Sequence, residues 1–176
     1  MSETLHQEEE KCYEKKNMEI LAEMIDIKKI SNLTNNTKYK NIYTDSSPFP
    51  SINLQGLWQA EFLQSISNEF RKFNNWDLHF RNNVTEYEKR TCQNFIKFPE
   101  KVAQLIDFCN SFVFIRFLES ISGISGLIPD PYLTGGGMHS TLNNGFLGLH
   151  TDFNWHQNLK VYRRINLLIF LNKNWE

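Results

Sequence analysis

Bulky apolar residues recur every three or four positions between Leu54 and Phe73, and this spacing places them on one face of a helix. The same periodicity predicts two further helices. One starts at Pro99 and runs to about Phe108, since proline is tolerated in a first helical turn. The other, Ser111–Gly123, is amphipathic and ends at a glycine, a residue that often follows the last turn of a helix.

The N-terminal part of the chain is more polar. Residues 8–31 predict a polar helix with a partial apolar stripe, and residues 32–53, which are rich in Asn and Ser and carry two prolines, predict a linker. We therefore place a domain boundary near residue 50. Residues 1–50 then form a polar helix and linker, and residues 51–176 form the main domain.

Strand patterns lie mostly in the second half of the chain. Bulky and polar residues alternate over Trp76–Phe80, which predicts a short strand. After Gly123, the prolines and glycines of "IPDPYLTGGGMH" predict extended or turning chain. Three strand-like pieces follow, namely Met138–Leu142, Phe146–Asp152 and Arg164–Asn172. Most helices thus precede the sheet, which predicts an α+β domain with helices packed on one face of a β structure.

Charge and cysteine content narrow the functional classes. The formal net charge of -1 gives no general attraction for nucleic acid or for an anionic membrane. No apolar run approaches the roughly 20 residues that span a bilayer. The three cysteines, Cys12, Cys92 and Cys109, are odd in number and widely spaced, which favours free thiols in a reducing compartment. We expect a cytoplasmic protein that binds neither nucleic acid nor membrane.

His150 and Asp152 are candidate metal ligands at the end of a predicted strand. Residues i and i+2 of a strand point to the same face, so the imidazole and the carboxylate would enter one space. Such a pair is the start of the two-His, one-carboxylate arrangement that binds non-haem Fe(II). A His-x-Asp pattern by itself is common, and the alternative is a surface histidine that is hydrogen-bonded to its neighbour.

The residues around this pair add specificity. The block "GFLGLHTDFNWHQNLKVYRRINLLIFLNKNW", together with the upstream "LIPDPYLTGGGMHS", resembles the iron- and 2-oxoglutarate-dependent oxygenases of the prolyl 4-hydroxylase type. The resemblance covers about residues 58–176 and is strongest from Ile128 onward. It does not include the first 50 residues.

This resemblance implies a double-stranded β-helix, or jelly roll, with eight core strands and helices on one side. His150 would be the proximal iron ligand and Asp152 the carboxylate ligand, with no catalytic side chain beyond the metal ligands. The cofactors implied are Fe(II) and the co-substrate 2-oxoglutarate, and ascorbate is a candidate addition. The implied reaction uses O2 to hydroxylate a C–H bond of a protein side chain or of a small molecule.

The last predicted strand carries the candidate co-substrate contacts. Asn166, Leu168 and Phe170 share one of its faces. Many members of the family have Tyr where this chain has Phe170, and phenylalanine lacks the hydroxyl that reaches the co-substrate carboxylate. Asn166 is the polar alternative on that face, although these residues are equally consistent with plain barrel lining.

Two residues of the family pattern are missing. The second iron histidine, and the Arg or Lys that binds the far carboxylate of 2-oxoglutarate, normally follow on later strands, whereas this sequence stops at Glu176. His139 and His156 do not match the missing ligand, and a hydrogen-bonded structural role is expected for both. We assign Arg163 and Arg164 to structural or rim positions. We therefore expect only the first part of the jelly roll, and little or no turnover from this chain alone.

Two alternatives remain open at this point. The aromatic helices and an open sheet would also suit a non-catalytic interaction module, or a fragment that requires a partner chain. A zinc site of the hydrolytic or cupin-like kind is the other alternative, although such sites usually have more closely spaced histidines.

Overall fold

The computed structural model describes residues 18–80 and 84–172. These residues form two compact units. The first unit comprises the described chain up to Ser65 together with Arg116–Gly126, and the second comprises Ile66–Ile115 and the described chain from Leu127 onward. The first ten positions of the predicted N-terminal helix, residues 8–17, lie outside the described residues.

The N-terminal segment of the first unit contains three short helices instead of one helix and a linker. Residues 18–24 are helical (α1), and they are followed by α2 (Ile27–Thr34) and α3 (Thr37–Thr44). The predicted helix is interrupted because the Asp26 side chain accepts a hydrogen bond from a backbone N–H of the next turn and so starts a new helix. Asn36 starts α3 in the same way, inside the segment predicted as a linker.

The next helix, α4 (Ala60–Lys72), confirms the helical pattern of the region but begins six residues later than the first apolar position. Gly56 has a φ of +64° and turns the chain ahead of the helix. Ile25, just after α1, forms an isolated antiparallel bridge with Trp58. The buried apolar residues of the first unit are Met24, Ile25, Leu33, Leu57, Phe62, Phe117 and Ile121.

The other two predicted helices are confirmed almost to their ends. Helix α5 (Glu100–Cys109) has Pro99 as its N-cap residue, and α6 (Phe112–Ser122) is followed by Gly123 at a φ of +71°. A short 3-10 helix, Phe95–Lys97, precedes α5. The buried apolar residues of the second unit are Ile66, Cys92, Phe98, Val102, Leu105, Phe114 and Met138.

A three-stranded antiparallel sheet lies in the second unit in the order β1-β2-β3. Strand β1 (Leu78–Phe80) falls within the predicted Trp76–Phe80 strand, and β3 is Met138–Leu147. The central strand β2 (Glu86–Cys92) was not predicted, because its sequence is mainly charged and polar. Its charged side chains find partners only in the folded chain, as when Arg90 stacks on the Trp76 ring at 4.8 Å.

Strand β3 joins two pieces that the sequence predicts as separate strands. It runs from Met138 to Leu147 opposite β2, and the register shifts at a bulge between Tyr87 and Lys89. The strand ends before the site, so the prediction that strand structure continues to Asp152 is wrong. Among the described residues, the backbone bonds across this edge end with the one that Gly148 donates to the Thr85 carbonyl at 2.7 Å.

A short hairpin follows, formed by the two-residue strands β4 (Trp155–His156) and β5 (Val161–Tyr162). The prediction of a strand over Arg164–Asn172 is wrong, because this segment joins no ladder among the described residues. The structure confirms a mixture of helix and sheet with a small antiparallel sheet. It corrects the predicted order, since β1 and β2 precede α5 and α6 along the chain. In the described part of the chain, no helix is both long enough and apolar enough to cross a membrane.

Candidate metal centre

His150 lies in the irregular chain directly after β3. Its Nδ1 atom is 2.8 Å from the carbonyl oxygen of Gly148. A carbonyl oxygen only accepts hydrogen bonds, so Nδ1 carries the proton and donates it. In the neutral imidazole, Nε2 is then the atom with a free lone pair, which is the form that a metal binds.

Asp152 presents one carboxylate oxygen to that nitrogen. His150 Nε2 and Asp152 Oδ1 are 3.5 Å apart, although neither residue lies in a strand. Two donors that bind one ion at about 2.1 Å each are separated by roughly 3.0–3.5 Å, so this distance suits a shared ion. The side chains are 46% and 47% exposed, which leaves the space beyond them open to an ion and its other ligands.

The second carboxylate oxygen of Asp152 has two partners in the chain. Asn166 Nδ2 donates to Oδ2 at 3.3 Å, and Arg163 Nη1 lies 3.5 Å from the same atom. Arg163 Nη2 also donates to Asn166 Oδ1 at 3.0 Å. Asp152, Arg163 and Asn166 therefore contact one another in a closed triangle, in which Asp152 takes part through Oδ2.

An aromatic ring supports the arginine of this triangle. The Arg163 guanidinium carbon lies 4.8 Å from the centre of the Phe153 ring, and the side chain is only 20% exposed. The ring in turn packs against Gly135, where an added Cβ would lie 3.0 Å from Phe153 Cε1. This contact, together with a φ of +70°, explains why the first position of the triple-glycine run suits glycine.

The surroundings of His156 indicate a structural role. It is buried, and its Nδ1 accepts a hydrogen bond from the Leu159 backbone N–H at 3.1 Å. Its Nε2 lies 3.2 Å from Asp130 Oδ1 but without the alignment of a hydrogen bond. Asp130 itself accepts bonds from the backbone N–H groups of Tyr132 and Thr134 and so fixes the turn before the glycine run.

His139 is also held by the backbone. Its Nε2 lies 3.0 Å from the Gly136 carbonyl oxygen, to which it donates. Desolvation lowers the pKa of His139, and the hydrogen bond to Gly136 and the carboxylates of Glu86 and Asp152 oppose that effect. Across the described ranges, no group of three His, Cys, Asp or Glu side chains is placed to hold a metal ion. The site as described therefore consists of two donor side chains.

The three candidate co-substrate contacts occupy different surroundings. Asn166 lies beside the candidate ligands through its bond to Asp152. Leu168 and Phe170 are 65% and 80% exposed and are available to solvent. Arg163 was predicted to be a structural or rim residue, and its contact with Asp152 was not predicted, because only the fold after β3 brings it against that residue, 11 positions earlier in the chain.

Other titratable groups of the second unit stabilise the fold. The Asp77 carboxylate accepts from Lys97 Nζ at 2.5 Å and from two backbone N–H groups, and these bonds hold the pKa of Asp77 well below its ordinary range. Cys92 and Cys109 are free thiols. Burial raises the pKa of both, to about 12 for Cys109, so both thiols stay protonated near neutral pH.

No protein-family model matches the chain, and no curated protein and no solved structure is significantly similar to it. The resemblance to the oxygenases therefore stays a hypothesis, and the contacts of the chain's own residues carry the functional argument.

Proposed function

We propose that this chain carries the His-Asp half of a mononuclear iron site and derives from the iron- and 2-oxoglutarate-dependent oxygenases. The observation that carries the proposal is the His150–Asp152 pair. An Nδ1–H bond to Gly148 leaves Nε2 free, and Asp152 Oδ1 lies 3.5 Å from it. The donor types, one imidazole and one carboxylate, are those that non-haem Fe(II) takes. In this proposal β3 belongs to the first part of a jelly roll.

In this proposal two residues bind the metal and a third contacts the co-substrate. His150 Nε2 and Asp152 Oδ1 would hold Fe(II), and the open side of the pair would admit 2-oxoglutarate and O2. The bound metal and its co-substrate would supply the oxidising power that hydroxylates a C–H bond of a protein side chain or of a small molecule. Asn166, which donates to Asp152, is the residue that would provide a polar contact for the co-substrate carboxylate. We place this chemistry in the cytoplasm, on the basis of the free thiols that the cysteine pattern favours.

The proposed site is weak in this chain. Two protein ligands hold Fe(II) less tightly than the three of a complete facial site, and the described residues offer two. We therefore propose weak metal binding and little or no turnover for the 176-residue chain.

The test measures metal binding first and turnover second. Co(II), which reports on its ligands by visible absorbance, is titrated into the wild type, His150→Ala, Asp152→Ala and the control Asp107→Ala, whose side chain is exposed. We expect both site variants to lose Co(II) binding and the control to keep it. Binding that survives both site variants would exclude this pair as the ligands. Zinc at one per chain after expression without added iron would favour the hydrolytic alternative.

Succinate formation with Fe(II) and 2-oxoglutarate then separates binding from catalysis. We expect no succinate above the background from the 176-residue chain. Succinate that depends on His150 would show that two described ligands suffice for turnover, and would contradict the proposed inactivity while supporting the oxygenase reaction.

One observation favours a second candidate, a non-catalytic interaction module. The extended segment 164–172 joins no strand among the described residues, and it presents Leu168 and Phe170 to solvent. Unpaired extended chain with apolar side chains is prone to pair with another chain. Size-exclusion chromatography with light scattering tests this candidate. A monodisperse monomer with a cooperative melt would count against a required partner.

A further inference from the structure

We infer that Arg163 is a positioning residue of the candidate metal centre. It contacts Oδ2 of Asp152 and so keeps the other carboxylate oxygen, Oδ1, toward His150. The inference deepens the proposed function and rests on it. It concerns the orientation of the carboxylate, and no part of it requires turnover.

The Arg163 guanidinium contacts two side chains of the site at once. Arg163 Nη1 lies 3.5 Å from Asp152 Oδ2, and its Nη2 donates to Asn166 Oδ1 at 3.0 Å. Asn166 Nδ2 in turn donates a hydrogen bond to the same carboxylate oxygen, Asp152 Oδ2, at 3.3 Å. Two separate nitrogens of one planar group are thus used at once. A lysine ammonium, which is a single point of charge, lacks this fork.

The Arg163 side chain is partly buried and stacked against an aromatic ring. A flexible arginine on the surface would orient nothing, but this side chain is 20% exposed and stacks on the Phe153 ring at 4.8 Å. The Phe153 ring itself lies close to Gly135, where an added Cβ would be 3.0 Å from Cε1. The neighbouring Arg164 is exposed. The chain therefore offers two adjacent arginines, of which only one contacts the carboxylate.

Two effects on metal affinity oppose each other. The positive charge of Arg163 repels a nearby cation, whereas its ion pair with Asp152 and its hydrogen bond to Asn166 keep Asp152 in the orientation that binds the cation. Asp152 is 47% exposed, so water and salt weaken the repulsion. Groups that orient a metal ligand typically change metal affinity by about 10- to 100-fold when they are removed. Orientation is therefore expected to dominate.

Co(II) titrations of four proteins test the inference: wild type, Arg163→Lys, Arg163→Gln and Arg164→Gln. Arg163→Lys keeps the charge and loses the fork, whereas Arg164→Gln removes the same charge at the next position. We expect the Kd to rise about tenfold in both Arg163 variants and to stay within about twofold in Arg164→Gln. Thermal melts of all four check that the variants stay folded, and a modest drop is expected only in the two Arg163 variants, which lose the stacking of the guanidinium on Phe153.

Three results would overturn the inference: an unchanged Kd in Arg163→Lys, tighter binding in Arg163→Gln, or an equal loss in Arg164→Gln. A second readout does not need the metal. The side-chain amide signals of Asn166 in a 1H–15N NMR spectrum are expected to shift in Arg163→Lys and to stay in place in Arg164→Gln. If wild type binds no Co(II), the iron proposal fails, and the Asn166 signals still decide whether Arg163 holds the amide that donates to Asp152.

Discussion

His150 Nδ1 lies 2.8 Å from the carbonyl oxygen of Gly148, two residues earlier in the chain. The bond fixes which ring nitrogen is protonated, and it therefore gives a prediction that is independent of any metal. His156 is an internal control, because its Nδ1 accepts a bond from the Leu159 N–H. We expect His150 to be protonated at Nδ1 and His156 at Nε2 in the neutral state.

Two-bond 1H–15N spectra at about pH 8, where an ordinary histidine is neutral, distinguish the two ring forms. The same form at both histidines would contradict the prediction. A His150 that carries its proton on Nε2 would present no lone pair to an ion on the Asp152 side.

Gly135→Ala is expected to disturb the support of Arg163. The added Cβ would lie 3.0 Å from Phe153 Cε1, and the backbone has a φ of +70°, so strain and displacement of the ring both follow. Gly126→Ala is the matched control, because its φ is +72° and nothing lies within 4 Å of the added carbon. Both changes are expected to destabilise the fold by about 1 kcal/mol through the left-handed backbone alone.

Only Gly135→Ala is expected to weaken Co(II) binding as well, and it should do so by several-fold. Urea unfolding and Co(II) titration of the two variants measure the two effects separately. Equal Co(II) affinities in the two variants would show that the contact with Phe153 does not support the site.

Asp77→Asn is expected to lower stability at pH 7 and to have less effect in acid. Lys97, followed by the Gln93 N–H, holds the pKa of Asp77 below its ordinary value of 3.8. A carboxylate whose pKa is depressed by folding adds stability above about pH 4, and the contribution is lost as the pH falls toward the folded value. The hydrogen bond with Asp77 also raises the pKa of Lys97 above its ordinary value of 10.5, so the stabilisation by the Asp77–Lys97 pair persists to strongly alkaline pH.

Urea unfolding of wild type and Asp77→Asn between pH 2 and pH 8 checks the sign. The difference in free energy of unfolding should shrink as the pH drops below about 4. Asp107→Asn, at an exposed position, should show no such convergence. A constant difference across the range would mean that the backbone bonds, and not the ionised carboxylate, provide the stabilisation.

The interaction-module candidate predicts that Phe170→Lys reduces association between copies of the chain. The Phe170 side chain is 80% exposed in an extended segment without a strand partner among the described residues, and a charged residue on such a segment disfavours pairing. Asn172→Lys adds the same charge two positions later without removing an apolar group. Light scattering across a concentration series should give a lower average mass for Phe170→Lys than for wild type or Asn172→Lys. Equal masses would show that this face takes no part in association.

The helices of the second half were accessible from the sequence because their signals are local. Pro99 before α5 and Gly123 after α6 act through their own backbone angles, and the apolar spacing between them follows the helix period. The break after α1 has a local signal too, since Asp26 is a good N-cap residue. Such signals need no knowledge of the rest of the fold.

The strands were less predictable because their partners are distant. Strand β2 is charged, and Arg90 becomes compatible with the middle of a sheet only through Trp76 and through Ser140 on β3, to which it donates at 3.2 Å. The segment Arg164–Asn172 has the right alternation for a strand, yet a strand also requires a neighbour, and none of the described residues provides one. Periodicity determines which residues share a face, and pairing determines whether a strand exists.

The sequence by itself determined the donor types and the proximity of the candidate ligands. His150 and Asp152 are two positions apart, and this spacing allows a shared ion in several backbone conformations. Only the tertiary structure decided which nitrogen and which oxygen face each other, because the Gly148 carbonyl, Arg163 and Asn166 orient the two side chains. Chain connectivity brings neighbouring residues together without further help, whereas their orientation depends on groups that folding brings from elsewhere.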